Sequence, residues 1–449
     1  MSRYKRYERY KDSGVEWIGE IPEHWNNKKI SWIFNIIGSG TTPSTSNLEY
    51  YDGDVPWVNT GDLNDGYLYE TSKMITDLAL KDYSTLKFYP IDTLLIAMYG
   101  ATIGKLSITK IIATTNQACC ALAQPKNVNI KFIFYWFLAN RNHIIAMAYG
   151  GGQPNISQNL IKSLRINLPE KHEQNAIVNF LDQKTAVIDG LIADKEKLIE
   201  LLQEKRQAII TEAVTKGLNP NVRMKDSGIE WIGEIPEHWG VEPIKYLVKT
   251  IQTGTTPTTK NDDYFDGDIQ WFTPGDFQGS KELYESSRKI SNRAIIDNEA
   301  RLFPKNTVMI VGIGATVGKV AKLGIEGSFN QQITGLIVNE QRLNCDYLYY
   351  WLYINQETIK NISNYTTLPI INNEFVKNFE CLSLPLDEQQ AIVNYLNQKT
   401  SEIDDLILKI RLQIQKLKEY RQSLISEAVT GKIDVREFQK KNEVIFRNE

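Results

Sequence analysis

Two long stretches of the chain carry the same spacing of apolar and polar residues. The first runs from Glu173 to Gly217, and the second begins at Glu388, an offset of 215. In both, apolar residues recur at steps of three and four, Lys, Glu and Gln fill most other positions, and proline is absent. This spacing predicts a long helix with one apolar stripe and a wide polar face. The stripe comprises Ile177, Leu181, Ile188, Leu191, Leu198, Leu202, Ile209 and Ala213 in the first stretch and Ile392, Leu396, Ile403, Leu406, Ile410, Leu417, Tyr420, Leu424 and Ala428 in the second.

A single helix of about 40 residues cannot bury such a stripe on itself. Two copies in one chain bury it most economically against each other, as a coiled coil. At a rise of roughly 1.5 Å per residue, each helix would be about 60–65 Å long. A rod of this length among globular segments is predicted to act as a spacer.

The globular segments are also repeated, at an offset of 214. Asp12 to Trp25 reads DSGVEWIGEIPEHW, and Asp226 to Trp239 differs from it at one position. Between the shared segments the halves diverge strongly, which favours one architecture with two different surfaces, although neutral drift after a duplication is an alternative. The other shared segments are Gly-Thr-Thr-Pro at Gly40 and Gly254, Gly-Asp at Gly61 and Gly275, Gly-Ala-Thr-x-Gly-Lys at Gly100 and Gly314, and Asn-Gln at Asn116 and Asn330.

Local patterns predict a mixed α/β (α+β) fold. DTLLIAMYG and NTVMIVGIG are typical of strands that end in glycine turns, whereas KFIFYWFLAN and CDYLYYWLYIN fit short buried helices. The sequence after each long helix resembles the N-terminal arm, as if a circular chain had been cut open. We therefore expect two pseudo-symmetric globular domains separated by two long helices packed as an antiparallel coiled coil. The expected segments are a first globular domain at 1–170, a first helix at 171–217, a second globular domain at 218–385, a second helix at 386–432 and a tail at 433–449.

Composition restricts the class of protein. The 449 residues are 42% hydrophobic and 23% charged, with a formal net charge of −3. These values are typical of a soluble globular protein, and the charged, tyrosine-rich N-terminus does not look like a secretory signal. The four cysteines share no spacing and are expected to be reduced thiols of a cytoplasmic protein. Because the net charge is close to zero, any basic surface for nucleic acid must be local.

The motifs that could carry catalysis fail on inspection. A phosphate-binding loop needs four residues between its first glycine and Gly-Lys, but Gly100 and Gly104 are separated by three. The segment is better interpreted as a tight turn between strands that presents Thr102 and Lys105. His24 and His238 lie in the repeated Glu-His-Trp and are expected to have packing roles. The sequence predicts no metal site, no nucleophile elbow and no catalytic constellation.

Side chains suited to reading DNA do gather around the predicted turns. Asn and Gln pair with adenine edges, Lys with guanine or phosphate, and Thr with thymine methyl groups or phosphate. Each such residue alone is more simply a turn residue, and those shared by both halves are better candidates for phosphate or scaffold than for base contact. The candidate DNA-binding residues are Thr41, Thr42, Asn59, Thr60, Lys105, Asn116 and Gln117 in the first half and Thr255, Thr256, Thr273, Lys319, Asn330 and Gln331 in the second.

Taken together, these segments resemble the specificity subunit of type I restriction-modification enzymes. The doubled WIGEIPEHW, the Gly-x-Thr-Pro and Gly-Asp anchors, GATIGK followed by Asn-Gln, and EQxAIVxxLxxKTxxID leading into RQxxIxEAVT carry the resemblance. It covers roughly residues 12–220 and 226–432.

The resemblance implies a division of labour among subunits. Each globular half would be a target recognition domain that reads one half of an asymmetric, bipartite site in double-stranded DNA, and the helices would fix the spacer. The helices would also dock two modification (methyltransferase) subunits, which use S-adenosylmethionine, and restriction (translocase and nuclease) subunits that use ATP and Mg²⁺ would join them. This chain itself would hold no cofactor, contact no membrane and catalyse nothing.

Two other functions remain open at this point. The chain could be a self-sufficient DNA-modifying enzyme whose motifs escape notice. It could also be a coiled-coil scaffold without a role in nucleic-acid binding, although that hypothesis leaves the divergent paired domains unexplained.

Overall fold

The computed structural model describes residues 4–148, 154–363 and 370–438. The last residues of the expected tail, 439–449, lie outside the described part. The chain divides into two compact units, a first formed by residues 1–196 and 412–449 and a second formed by residues 197–411. Each unit therefore contains one globular lobe and a portion of both long helices.

Within its described residues, the first unit contains twelve strands in four sheets. Its largest sheet has the order β4-β11-β8-β9-β6, and a three-stranded sheet has the order β10-β5-β7. Within the large sheet only the edge pair β6 and β9 is parallel. The strands are β1 (Tyr10–Asp12), β2 (Glu20–Pro22), β3 (Asn26–Lys29), β4 (Phe34–Gly38), β5 (Tyr51–Val58), β6 (Gly66–Leu68), β7 (Met74–Ile75), β8 (Leu94–Ala97), β9 (Leu106–Thr109), β10 (Thr114–Thr115), β11 (Cys119–Pro125) and β12 (Arg165–Leu168).

The second unit repeats this topology strand for strand. Its large sheet has the order β16-β23-β20-β21-β18, and its three-stranded sheet has the order β19-β17-β22. The strands are β13 (Met224–Asp226), β14 (Glu234–Pro236), β15 (Gly240–Pro243), β16 (Val248–Thr253), β17 (Ile269–Phe272), β18 (Glu282–Leu283), β19 (Arg288–Ile290), β20 (Val308–Val311), β21 (Val320–Leu323), β22 (Ser328–Phe329), β23 (Ile333–Val338) and β24 (Glu380–Ser383).

The helices confirm the predicted elements. The two aromatic segments form helices whose rings are mostly buried, with Trp136 and Trp351 inaccessible to solvent. No helix in the described ranges is long and apolar enough to cross a membrane. The helices are α1 (Ile30–Ile33), α2 (Asp77–Asp82), α3 (Ile130–Met147), α4 (Gln158–Ser163), α5 (Lys171–Lys216), α6 (Asn292–Ile296), α7 (Cys345–Ile354), α8 (Gln356–Ser363), α9 (Asn373–Asn378) and α10 (Leu386–Val429).

The long helices α5 and α10 run antiparallel in each unit. In the first unit the early part of α5 pairs with the late part of α10, because Arg421 Nε lies 2.8 Å from Asp189 Oδ1. Lys195 Nζ donates to Gln413 Oε1 there at 2.7 Å. In the second unit the late part of α5 pairs with the early part of α10, where Arg206 Nε lies 3.2 Å from Asp404 Oδ1. The antiparallel coiled coil is thus confirmed inside both units.

The predicted stripe was wrong at several positions in the middle of the helices. Leu191, Leu198, Leu406 and Tyr420 are exposed. Ile192 and Ile407 are buried in place of Leu191 and Leu406, because the buried stripe takes a step of four from Ile188 and from Ile403 where we expected a step of three. Ile414, four residues after Ile410, is also buried and was not in the predicted stripe.

Each lobe is joined to the first turn of a long helix through a carboxylate, which is buried in the first unit and partly exposed in the second. Glu173 Oε1 accepts from the Tyr7 hydroxyl at 2.7 Å and from Trp25 Nε1 at 3.2 Å, and its Oε2 hydrogen bonds with His24 Nε2 at 2.8 Å. Burial, and next the Glu173 charge, raises the pKa of the Tyr7 phenol well above its usual value, so Tyr7 remains a donor. In the second unit Glu388 accepts from Trp239 Nε1 at 3.0 Å and pairs with His238. These contacts confirm that the two histidines have packing roles.

The glutamine that follows each carboxylate makes a second link. Gln174 Oε1 accepts from the backbone N–H of Asn129, the residue that caps the N-terminus of α3, at 2.8 Å. Gln389 does the same for Asn344 ahead of α7 at 2.7 Å. Both glutamines are buried, so each helix start is fixed to two different elements of its lobe.

The terminal segments meet in the first unit, as the repeat predicts. The backbone N–H of Asp434 donates to Lys5 O at 2.8 Å, and the Tyr10 hydroxyl donates to Gly431 O at 3.1 Å. The guanidinium of Arg436 lies 4.9 Å from the centre of the Tyr7 ring. The C-terminal tail and the N-terminal arm thus complete one lobe together.

We expect Glu173→Ala to lower the free energy of unfolding by roughly 2–4 kcal/mol, because it leaves the buried Tyr7 and Trp25 donors without an acceptor. Glu388→Ala should cost about half as much, since the Glu388 side chain is 38% exposed and water can replace it. Urea denaturation of both variants measures the difference. Equal losses of unfolding free energy in the two variants would show that the Tyr7 contact and the deeper burial of Glu173 contribute nothing to stability.

Candidate nucleic-acid interface

The residues proposed to contact DNA in the first unit lie on loops at one end of the lobe. Register places Cys119 opposite Ala97 and Ala121 opposite Gly38, so the end of β4, the end of β8 and the start of β11 lie side by side. The loop after β5 joins them because Thr115, just before Asn116, pairs with Val58. We call the residues on these loops the first loop cluster, comprising Thr41, Thr42, Asn59, Thr60, Lys105, Asn116 and Gln117.

Hydrogen bonds between loops hold the first loop cluster together. The Thr42 hydroxyl donates to Gln117 Oε1 at 2.5 Å, and Asn116 Nδ2 donates to Asn59 Oδ1 at 3.1 Å. Trp57 Nε1 donates to Thr41 O at 3.2 Å from the interior. The amide oxygens of Asn59 and Gln117 are thus acceptors within the protein, which gives these side chains a positioning role on the loops.

The second loop cluster repeats most of this arrangement. It comprises Thr255, Thr256, Thr273, Lys319, Asn330 and Gln331. The Thr256 hydroxyl donates to Gln331 Oε1, and Trp271 Nε1 donates to Thr255 O at 3.1 Å. The difference is at Asn330, whose Nδ2 donates to Gln332 Oε1 at 2.9 Å and not to the loop after β17. The predicted residues of each unit are therefore brought together, with a distinct pairing in each.

The repeated Gly-Asp forms a short 3-10 turn in both clusters, at Thr60–Asp62 and Pro274–Asp276. The aspartate closes a capping box, and Asp62 Oδ1 also accepts from the backbone N–H of Ser72 at 3.1 Å, as Asp276 does from Ser287 at 2.9 Å. Burial raises the pKa of Asp276, but hydrogen bonds from Ser287 and Thr273 outweigh it and hold the pKa below its usual value. Asp276 therefore stabilises the turn at pH values above the pKa of a free aspartate, and this stabilisation is lost as the pH falls through the lowered pKa.

The Gly-Ala-Thr-x-Gly-Lys segment is confirmed as a turn between antiparallel strands. It connects β8 to β9, and the backbone N–H of Gly104 donates to Ala97 O at 2.8 Å. Gly104 has φ +77°, and a Cβ there would lie 3.0 Å from the Arg141 side chain, so glycine is required. In the second unit Lys319 Nζ donates to Phe277 O at 3.3 Å, which places this lysine beside the Gly-Asp turn.

The residues found in both loop clusters suit recognition better than catalysis. Threonine hydroxyls, amides and two lysines can donate to phosphates or base edges. Within the described ranges, no group of three or more His, Cys, Asp and Glu side chains could hold a metal ion.

Comparison with known proteins supports this conclusion. A model of the family described as "Type I restriction modification DNA specificity domain" matches residues 22–201 and again residues 236–416. The chain belongs to this family. Its two matches coincide with the two repeats.

Curated relatives extend over nearly the whole chain. The type I restriction enzyme MjaIX specificity subunit of Methanocaldococcus jannaschii is 27% identical over 94% of this chain and 96% of its own length. The StySPI specificity subunit of Salmonella potsdam is 22% identical over 92% of this chain and 90% of its own.

Solved structures share the fold. A chain from a type I restriction-modification system matches with a TM-score of 0.70 at 15% identity, covering 91% of this chain and 98% of that one. The HsdS subunit of Thermoanaerobacter tengcongensis matches with a TM-score of 0.51 at 15% identity, covering 92% and 98%.

Two pairs of exposed residues beside the loop clusters were not among the DNA-binding candidates predicted from the sequence. Tyr69 and Tyr284 are 68% and 53% exposed, on the segments that the Gly-Asp turns hold in place. Lys87 and Arg301 are exposed, and Arg301 also donates from Nη1 to Thr253 O at 2.6 Å. Tyr69 and Tyr284 are the central residues of a Leu-Tyr-Glu segment that is repeated at an offset of 215. Lys87 and Arg301 are basic residues three positions before a proline, repeated at an offset of 214. These two repeats are the sequence signal from which both pairs could have been predicted.

Proposed function

We propose that the chain is the DNA specificity subunit of a type I restriction-modification complex and reads an asymmetric, bipartite site without catalysing any reaction. The observation that carries the proposal is the duplication of one loop cluster at the same end of two lobes that share their topology. A shared scaffold with different exposed side chains can address two different half-sites. The matches of the specificity-domain family to both repeats support it.

Within each cluster the contacts would divide between positioning and readout. Lys105 and Lys319, with Lys87 and Arg301 beside them, are the proposed phosphate contacts, because their positions and charge are repeated in both lobes. Base contacts would come from positions where the clusters differ. Such positions are Thr60 in the first cluster and Pro274 in the second, and the exposed loops around Tyr69 and Tyr284. Asn59 and Thr273 also differ, but their side chains pair inside the loops and would position these neighbours.

The long helices would fix the spacer and dock the partner subunits. Helices of 46 and 44 residues are long enough to hold two readers a set distance apart on one DNA molecule. Both carry exposed leucines outside the buried stripe, and Leu191 and Leu406 occupy equivalent positions. Two equivalent apolar surfaces fit two modification subunits, with S-adenosylmethionine bound to them and ATP and Mg²⁺ to the restriction subunits.

Exchanging residues 26–168 for the corresponding segment of a relative should change one half of the recognised site and leave the other half and the spacer unchanged. The reason is that each lobe has its own loop cluster. Mapping methylated adenines in a host that carries the partner subunits measures the site. The matched exchange of residues 240–382 should alter the other half only. A change in both halves after either exchange would contradict independent reading.

Deleting seven residues from each long helix should shorten the spacer by about three base pairs. Seven residues span roughly 10 Å of helix and a base pair about 3.4 Å of DNA. Residues 197–203 and 407–413 are suitable segments, because deleting both keeps the remaining antiparallel pairs of α5 and α10 in register. The same methylation mapping gives the result. An unchanged spacer, or altered half-site sequences, would count against the helices as a ruler.

Lys105→Ala and Lys319→Ala should each weaken DNA binding to specific and unrelated sequences alike. Each loss of a phosphate contact should reduce the slope of log affinity against log salt by about 1. Anisotropy titrations of the complex with its modification subunits, at several KCl concentrations, measure both effects. Lys126→Ala, at the opposite end of β11, serves as the control and should change neither. A loss confined to the specific sequence would instead assign these lysines to base contact.

A further inference from the structure

An aromatic residue on each long helix has a very different environment in the two units. Phe180 of α5 is fully buried, and its ring makes edge contacts with Tyr4 at 5.2 Å and Phe438 at 5.0 Å between ring centres. Its equivalent in the second unit, 215 residues later, is Tyr395 of α10, which is 37% exposed. Among the described residues, the two terminal segments therefore cover Phe180, whereas Tyr395 keeps more than a third of its surface exposed.

The carboxylates in the first turns of the two long helices show the same asymmetry. The Glu173 side chain is 2% exposed and accepts from Tyr7, while the equivalent Glu388 side chain is 38% exposed. In the first unit the tail also contacts α5, since Phe438 packs against Phe180, and its residues Ile433 and Val435 are buried. The arm and the tail thus both cover the N-terminal part of α5.

In the second unit a connector, residues 217–226, leads from the end of α5 into β13, which pairs with β14 as β1 pairs with β2. Its residues Leu218, Asn219, Pro220 and Asn221 are exposed. Beside the connector lies a groove of about 600 Å³, which we call the Tyr395 groove. Its lining includes Ile209, Glu212, Leu218, Met224, Glu234 and Tyr395.

We propose that the Tyr395 groove binds a segment of another protein that carries aromatic side chains next to cationic ones. The N-terminal arm shows the aromatic part of this chemistry, since Tyr4 packs against Phe180 and Tyr7 donates to Glu173 on the equivalent helix face in the first unit. The cations Lys5 and Arg6 lie between these two tyrosines in the sequence. Charge agrees with this occupant, because Glu212 and Glu234 line the groove against one lysine, Lys216. Aromatic rings supply apolar area over Tyr395, and cations complement the carboxylates. The inference concerns protein binding and does not depend on DNA recognition.

A peptide with the sequence of residues 4–11, YKRYERYK, is the probe. Labelled with fluorescein and titrated with the full chain, it should bind saturably at one site, as measured by anisotropy. A peptide with alanine in place of Tyr4 and Tyr7 should bind at least about 10-fold more weakly. The chain variant Glu212→Lys/Glu234→Lys should weaken binding of the first peptide by at least about 10-fold, and Tyr395→Ala by a similar factor.

Glu20→Lys provides the matched control, because Glu20 is the exposed counterpart of Glu234 in the first unit, where the helix face is already covered. This variant should leave peptide binding unchanged, and circular dichroism checks that every variant is folded. Absence of binding, or an equal loss in Glu20→Lys, would overturn the proposal. A concentration-dependent dimer that Glu234→Lys abolishes would also overturn it, because the occupant would then be a second copy of this chain.

Discussion

The structure depends on how the first turn of each long helix is anchored to its lobe. In the first turn, a glutamate (Glu173 or Glu388) accepts a hydrogen bond from the tryptophan of the Glu-His-Trp segment. The next residue, a glutamine (Gln174 or Gln389), accepts one from the N-cap of the aromatic helix that precedes the long helix in the chain. Buried acceptors that lose a partner are costly, so the lobe cannot turn on the helix without breaking several bonds at once. A rigid joint between lobe and helix suits the proposed role as a spacer, because a helix can set a distance only if each lobe is fixed to it.

The same reasoning explains which segments of the globular halves are duplicated. The Gly-Asp turns and the Thr42–Gln117 and Thr256–Gln331 bonds connect loops that start from different strands. Changing one partner would leave an unpaired group and displace the neighbouring loop. Exposed positions between these anchors carry no such constraint, so they can diverge while the loops keep their places. The anchors thus preserve one architecture under two different surfaces.

Much of this was predictable from periodicity and repetition, and the failures have physical causes. The long helices, the strands that end in glycine turns and the buried aromatic helices follow from local patterns. Periodicity alone could not decide between Leu191 and Ile192, or between Leu406 and Ile407, since both choices continue a stripe of threes and fours. The capping boxes and the bonds between loops depend on strand register, which sequence spacing does not give. Tyr69 and Tyr284 were missed because they lie in segments that otherwise differ.

The difference between the two units lies in the segments that flank the repeats. In the first lobe Tyr4 and Phe438 pack against Phe180 of α5, and Tyr7 donates to Glu173. In the described part of the second lobe, residues 217–226 lie beside the equivalent face of α10. Apolar area that one lobe buries remains exposed in the other, at Tyr395. That exposed area is the apolar part of the groove to which we assign a segment of another protein.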